Sequence, residues 1–539
     1  MPILQSTPST SVGIGDIMVR GTVGLCILLL SGCHSAEQPR GNRTLTATIG
    51  YPEPHTVFAP GGGGGGPAFT SSKVLERLAR YNADQTFSPV LAERWVIAPD
   101  AKSIDLVLRK NVKWHDGKPF TAEDVAFSVR DYWKKYYPDS ILDFLEDVTV
   151  KSPTELTIRF SRPVPEFSLL KLMAGPANYV LPKHLYEGKD ILLNPVNNAP
   201  VGTGPWKFKQ WVRGSYEEFE KNPDYWVRGE PKLDKLIVRW WREPASRAAA
   251  FETGELDVGV SNPVPLGDVQ RLQKNPKLNV SFQEEGLAVS VYFNVHNPVL
   301  SDRRVRQALL HAIDKKFIAD TIYHGLAKPA TGPILSSDKL YYTDQLPRYD
   351  YDPKLAARLL DEAGYSVKAD GTRFRVNLVA SGWSEENGKV GSYLKQVLGD
   401  LKIPAILRVP DRANSLKALY TDYDFDIAYS QGGGTPDEPV PELALLYTKA
   451  GISKGLIFRN ASRYTSPAME DLVGKITVEV DPAKRKQLIQ AFARLAMTDV
   501  PEAPIVEWPA HIITQRDVRI NSQAAAFYTD SWGSATKGK

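Results

Sequence analysis

Cysteine is nearly missing from this chain: 539 residues hold two, Cys26 and Cys33, both close to the N-terminus. No disulfide framework and no thiolate metal site can therefore be built in the body of the protein. Histidine is also scarce, with eight residues and no His-x-x-x-His pair, which argues against a zinc site made by the protein itself. A surplus of one charge is lacking. Lys and Arg number 66 against 62 Asp and Glu, and the resulting +4 is spread along the chain, unlike the concentrated basic face of a nucleic-acid binder. Long apolar runs are absent beyond the first thirty or so residues, so no later segment reads as a membrane-spanning helix. Neither an HExxH nor a Walker A motif occurs. What is present is length enough for two or three domains around a large core. Aromatic residues make up 10% of the chain, including 11 Trp and 23 Tyr, a supply that suits both a core and a pocket able to stack on varied ligands.

The N-terminus reads as an export signal. Gly21 to Leu30 is a short apolar run behind Arg20, too short to span a bilayer and of the length of a signal-peptide core. Met18, just before Arg20, is a second candidate start. The ending Leu30-Ser31-Gly32-Cys33 resembles a lipobox. That resemblance implies cleavage before Cys33, acylation of its thiol and retention at a membrane surface. Residues 1–32 are then a removed signal and 33–44 a polar tether, and the protein is exported, periplasmic or at the cell surface.

The most informative stretch runs from Ile104 to Trp133. Ile104, Leu106 and Leu108 alternate with other residues at the period of a strand. Trp114-His115-Asp116-Gly117-Lys118-Pro119 carries two turn-favouring pairs. Thr121 and Asp124 then form a capping box in front of a helix whose Val125, Phe127, Val129 and Tyr132 supply apolar surface. The whole pattern W-H-D-G-K-P-F-T-A-E-D-V-x-F-S resembles the signature segment of the family 5 extracellular solute-binding proteins, the peptide-, nickel- and opine-binding receptors of ABC importers. Ser88-Pro89-Val90-Leu91-Ala92-Glu93-Arg94-Trp95, Val201-Gly202-Thr203-Gly204-Pro205-Trp206 and Asn222-Pro223-Asp224-Tyr225-Trp226 resemble further family segments and read as structural.

The resemblance implies an α/β fold of the type II periplasmic binding protein class, two lobes with mixed sheets joined by a two-strand hinge. It sets lobe I at 45–287 with an extra subdomain over about 65–195, lobe II at 288–504, and a return to lobe I over 505–539. Local patterns predict a helix over Ser72 to Leu78, helices capped by Asp302 and Asp352, a strand from Asn377 to Ala380, another from Asp424 to Tyr429, and a long helix from Pro482 to Met497.

Function follows the same resemblance. A peptide or peptide-like solute is expected in the cleft between lobes, with transmembrane permease subunits as partners, a monomeric receptor and no cofactor or resident metal. Candidate ligand contacts are Glu53 and His55 after the first strand, Tyr292 and Asn294 on the crossing strand, Trp383 after the strand Asn377–Ala380, and Ser430, Gln431, Gly432, Gly434 and Thr435 in the next loop. Gly434 stands where peptide receptors of the family carry an aspartate for the peptide α-ammonium. Loss of that carboxylate removes a charge-assisted bond of roughly 1.5–3 kcal/mol, so an opine, a glycoside or a metal chelate is the alternative cargo. Arg303, Arg304 and Arg306 could form an anion clamp but read as a solvated helix face. Gly451-Ile452-Ser453-Lys454-Gly455 fits G-x-S-x-G, yet follows a helix instead of a strand, which argues against a serine hydrolase. Ser534 and Lys537 fit S-x-x-K only in a polar tail.

Overall fold

The alternation at the start of the body becomes a strand, β1 (Thr44–Ile49), with Leu45, Ala47 and Ile49 fully buried. This computed structural model describes residues 43–60, 65–136, 141–241, 243–431 and 443–538. The signal segment, Cys33, and Gly432, Gly434 and Thr435 lie outside the described residues.

Ten further strands join β1 in one sheet: β2 (Trp206–Val212), β3 (Tyr216–Lys221), β4 (Lys235–Arg239), β5 (Val258–Val260), β6 (Leu278–Phe293), β7 (Lys328–Pro329), β8 (Val376–Ala380), β9 (Ala405–Arg408), β10 (Ile427–Gln431) and β11 (Glu502–Gln515). Their order is β9-β8-β10-β6-β11-β5-β1-β4-β3-β2, with β7 on β11. At one end β1 runs parallel to β4 and β5; at the other, β8 runs parallel to β9 and β10. The two long strands β6 and β11 join the halves antiparallel to each other. They pair from Leu278↔Gln515 to Phe282↔His511, lose register, and resume at Gly286↔Pro509. A second register shift falls between Val289 and Ser290, so the ladder is interrupted twice along its length. Ala92–Ile97, Ser103–Leu108, Glu155–Phe160 and Leu145–Ser152 form a separate antiparallel sheet.

The signature stretch starts on this sheet and acts as a clamp. Gly117 N–H donates to the Trp114 carbonyl at 2.8 Å and closes the turn, with Gly117 at φ +88°. Asp124 accepts from Thr121 N–H at 2.9 Å, as the capping box requires, and also from the Lys183 N–H at 2.9 Å and Trp114 Nε1 at 3.3 Å. His115 grips the Gly202-Thr203-Gly204 loop. Its N–H donates to the Gly202 carbonyl at 2.8 Å, Nδ1 accepts from Gly202 N–H at 3.3 Å, and Nε2 donates to the Gly204 carbonyl at 2.9 Å. Burial pushes the imidazole down to about 4, so it is neutral and able to serve both roles.

The Gly202 loop is a place of close approach. A Cβ at Gly202 would sit 1.8 Å from the Val74 carbonyl oxygen, a backbone atom that cannot swing away. Gly202→Ala is expected to lower stability by about 1–3 kcal/mol or more through overpacking, read as a drop in melting temperature. An unchanged melting curve would show that the two loops separate freely.

One local expectation fails. The helix spans Gly66–Val74 and Leu75 is extended (φ −99°, ψ 146°), so of Ser72 to Leu78 only the first three residues are helical. The reason is tertiary. The Val74 carbonyl accepts from Gly204 N–H and the Glu76 carbonyl from Val180 N–H, while the buried Glu76 carboxyl collects Thr203 Oγ1, Tyr225 OH and Trp226 Nε1 at 2.8–2.9 Å. These bonds replace the helical ladder beyond Val74. The other local expectations appear at Pro353–Glu362, Val376–Ala380, Ile427–Gln431 and Pro482–Asp499. Asp302 caps Arg303–His311 by accepting from Arg304 N–H at 2.9 Å.

Candidate functional site: the interlobe cleft

In open parallel sheets the carboxyl ends of the strands border the ligand crevice. Here β1 and β5 end on one side, and β8 and β10 on the other. The floor on the lobe I side is built from backbone. A Cβ at Gly50 would lie 2.0 Å from the Ser261 carbonyl oxygen and 2.3 Å from that of Asn262. Ser261 and Asn262 both take left-handed φ, 53° and 61°, a strained pair that turns the chain away directly after β5. Tyr51 follows Gly50 just past the end of β1.

On the lobe II side, β8 runs into Ser381, Gly382 and Trp383. Gly382 packs against the Pro410 carbonyl, where a Cβ would come within 2.4 Å, and its N–H donates to Ser415 Oγ at 3.1 Å. This docks the short helix Arg412–Lys417, capped by Asp411 accepting from Asn414 N–H at 2.9 Å. Arg412 leads that helix. Its guanidinium stacks 3.9 Å from the Trp383 ring and reaches to 5.9 Å from the ring of Tyr51 on the opposite lobe. The cation thus joins the carboxyl ends of β8 and β1. It is half-buried, burial lowers its pKa, and no carboxylate among the described residues pairs with it. Trp383 Nε1 is buried without an acceptor among the described residues, and Phe458 flanks the same ring at 5.9 Å.

A second arginine lies at the foot of the cleft. Arg247, on the helix Pro244–Thr253, is 5% exposed and donates to the Ile49 carbonyl at 3.4 Å, while its Nε has no acceptor among the described residues. Burial brings it down to about 10, so it stays charged at neutral pH. Nearby, burial and the Arg247 charge hold His511 down at about 3, so the imidazole is neutral and cannot neutralise or repel the arginine. A buried charge without a counter-ion costs several kcal/mol. The buried Arg247 at Ile49 and the half-buried Arg412 near Tyr51 are suited to an anion that arrives from solution.

The residues expected from the sequence are dispersed around this centre. Both Glu53 oxygens are occupied within lobe I: Oε1 accepts from Trp211 Nε1 and Gly214 N–H at 2.8 Å, and Oε2 from Gly214 N–H at 2.9 Å. His55 is exposed, and its carbonyl accepts from Arg213 at 3.0 Å. Tyr292 is buried and donates to the carbonyl of Gln431, at the end of β10, at 3.3 Å. Below it, burial raises Glu502 to about 7 among Ser290, Tyr292, Tyr420 and Tyr447. Asn294 is buried at the far end of β6, donating to the Phe425 carbonyl at 2.9 Å. Ser430 pairs with Ser290 within the sheet. Trp383 alone of the described candidates meets the two-lobe centre. Arg412 and Arg247 were not foreseen; the Pro410-Asp411 helix start was the available signal for the first, and nothing local marks the second. Ser453 sits in a turn after the single-turn helix Lys449–Gly451, its Oγ 3.5 Å from the Ala450 carbonyl.

Two lobes of mixed sheet, articulated by two antiparallel strands around a cleft at strand carboxyl ends, define a type II periplasmic binding protein. The fold agrees with solved structures of that class. NikZ from Campylobacter jejuni in complex with Ni(L-His) superposes with TM-score 0.78 at 21% identity, covering 91% of this chain and 98% of that one. The oligopeptide-binding protein AppA from Bacillus subtilis in complex with a nonapeptide gives 0.78 at 20% identity, covering 92% and 100%. Among curated relatives, the nickel-binding periplasmic protein of Escherichia coli (strain K12) is 25% identical over 475 residues, 84% of this chain and 86% of that protein. The family model for bacterial extracellular solute-binding proteins, family 5 (middle), matches residues 86–454. The chain belongs to that family.

Proposed function

We propose that this chain is the receptor of an ABC importer for a small anionic solute, a peptide or peptide-like molecule whose carboxylate is received by Arg412. The observation that carries the reading is the Arg412 guanidinium stacked on Trp383 within reach of Tyr51, with no carboxylate partner among the described residues. An arginine held flat on an aromatic ring presents its planar fork for bidentate recognition of a carboxylate. Gly434, in place of an ammonium-pairing aspartate, leaves the anionic end of the ligand as its stronger handle. Chelates and opines share that chemistry: relatives are named for nickel, and AgaA was solved with agropinic acid.

Lobes 45–287 with 505–539, and 288–504, move about the register breaks in β6 and β11. Ligand shifts the population towards closure because Tyr51 and Trp383 can be bridged only when the lobes meet. Micromolar binding supplies about 8 kcal/mol, enough to favour closure and still permit hand-over to a permease. On the opposite rim, Phe167 packs edge-on against Tyr341 at 6.1 Å, and Gln85 Nε2 donates to the Ser337 carbonyl at 3.1 Å. The protein acts without changing its cargo, as a monomer. Cys33, at the end of the lipobox-like Leu30-Ser31-Gly32-Cys33, is its lipid anchor.

Mass spectrometry of small molecules released from the purified protein is expected to return a carboxylate-bearing compound of peptide size. A neutral or cationic cargo would overturn the reading. Metabolic labelling with a fatty acid is expected to mark the protein and to fail after Cys33→Ala; labelling that persists would remove Cys33 as the anchor.

A further inference from the structure

The strand β6 runs antiparallel to β8 and β10, so its carboxyl end lies at the end of lobe II opposite to the cleft. A cavity of about 480 Å³ opens there, bordered by His296, Arg303, Arg306, Arg463, Ser466 and Asp499. Its charge is unbalanced: three guanidiniums meet one carboxylate. Arg306 is not part of a solvated face, as the sequence suggested; it is 4% exposed and donates to the carbonyls of Leu300, Ser301, Asp499 and Val500. Those carbonyls hold it in place without neutralising it. Arg303 lies 3.5 Å from Asp499 Oδ1, and the other oxygen of Asp499 accepts from Tyr464 OH. The adjacent Asp302 is taken by Arg304 at 2.6 Å.

Arg463 is the most telling member. It adopts φ 58°, a conformation costly for a side chain this large. NH2 donates to Asn294 Oδ1 at 2.7 Å and the guanidinium lies 5.0 Å from the Tyr423 ring, so the group is oriented on two sides. Its Nε is buried with no acceptor among the described residues. A concave wall with fixed guanidiniums focuses positive potential into the cavity. The planar forks of Arg303 and Arg463 match a tetrahedral oxyanion, with Ser466 and Thr465 at the rim, while Arg306, its N–H groups held by carbonyls, contributes charge alone.

We propose that this cavity is a second binding site, separate from the cleft, for a phosphate-class oxyanion, either free phosphate or the phosphate of a lipid headgroup. The test uses purified Cys33→Ala protein, which lacks the acyl anchor, at low salt, titrated with inorganic phosphate in a calorimeter and floated with phosphatidylglycerol or phosphatidylcholine vesicles. Phosphate is expected to bind one to one, and equally in Arg412→Ala protein, which excludes the cleft as the reporter. Arg303→Gln, on an exposed side chain that the fold does not need, should weaken binding several-fold, and the pair Arg303→Gln and Arg463→Gln by about tenfold or more. If phosphate binds weakly while phosphatidylglycerol vesicles float the protein, and the paired variant abolishes flotation, the source is the headgroup. Binding to neither probe overturns the proposal, as does binding that the paired variant leaves unchanged while its melting curve matches the parent.

Discussion

Arg412→Ala is expected to weaken binding of the co-purified solute by about 10- to 150-fold, the loss of a charge-assisted interaction worth roughly 1.5–3 kcal/mol. The fold should survive. Arg412 begins a short surface helix whose cap, Asp411, and whose anchor, Ser415, are untouched. Arg412→Lys should fall between the two, since it keeps the charge and loses both the stacking and the fork. Trp383→Ala should also weaken binding, and the pair with Arg412→Ala should cost less than the sum, because the ring orients the guanidinium that the first change removes. Calorimetry with the identified solute measures all four proteins. Wild-type affinity in Arg412→Ala would remove the arginine from the site and with it the anionic reading.

Stability is expected to fall as pH rises from about 4.5 towards 8, gently below about 6.5 and more steeply above it. Three buried carboxyls drive the fall, and the buried neutral His115 and His511, held down at about 4 and about 3, offset part of it until the unfolded imidazoles have lost their protons near 6.5. Burial raises Glu76 and Glu502 to about 7 and Glu217 to about 8. In the unfolded chain such groups ionise near the ordinary glutamate value, so the folded state holds more protons between that value and the raised one. Stability from each group is therefore complete below about pH 4.5 and is lost as pH climbs through 7 or 8. The loss is on the order of 3 kcal/mol for a shift of this size. Glu76 and Glu502 differ in consequence: the first ties the end of the Gly66–Val74 helix to the Gly202 loop, and the second pairs with Tyr292 where β11 meets β6. Glu76→Gln and Glu502→Gln should each flatten the pH dependence between 4.5 and 7 by its own share. Thermal melts across that range measure it; parallel curves for parent and variants would mean the groups are hydrated or ionised when folded.

Much of lobe I was readable because its information is local. The Asp-Gly turn, the Thr121–Asp124 box and the period-two strand at Ile104–Leu108 each need only neighbouring residues, and each is found in place. The helix expected over Ser72 to Leu78 fails for the complementary reason. Its end is decided by hydrogen bonds from Gly204 and Val180, more than a hundred positions away. Glu53 shows the same limit for function. A carboxylate after the first strand is well located for a ligand, yet its oxygens are taken by the β2–β3 turn.

Composition and linear pattern by themselves determined the compartment expected of the chain, the absence of thiolate chemistry in its body, the strand and helix types, and, through the signature stretch, the family. Those properties depend on counts, periods and short-range caps. Which side chains face the cleft was decided only by tertiary structure, because the lining is assembled from the ends of strands far apart in sequence. Arg412, Trp383 and Tyr51 come together only once β6 and β11 have laid one lobe against the other.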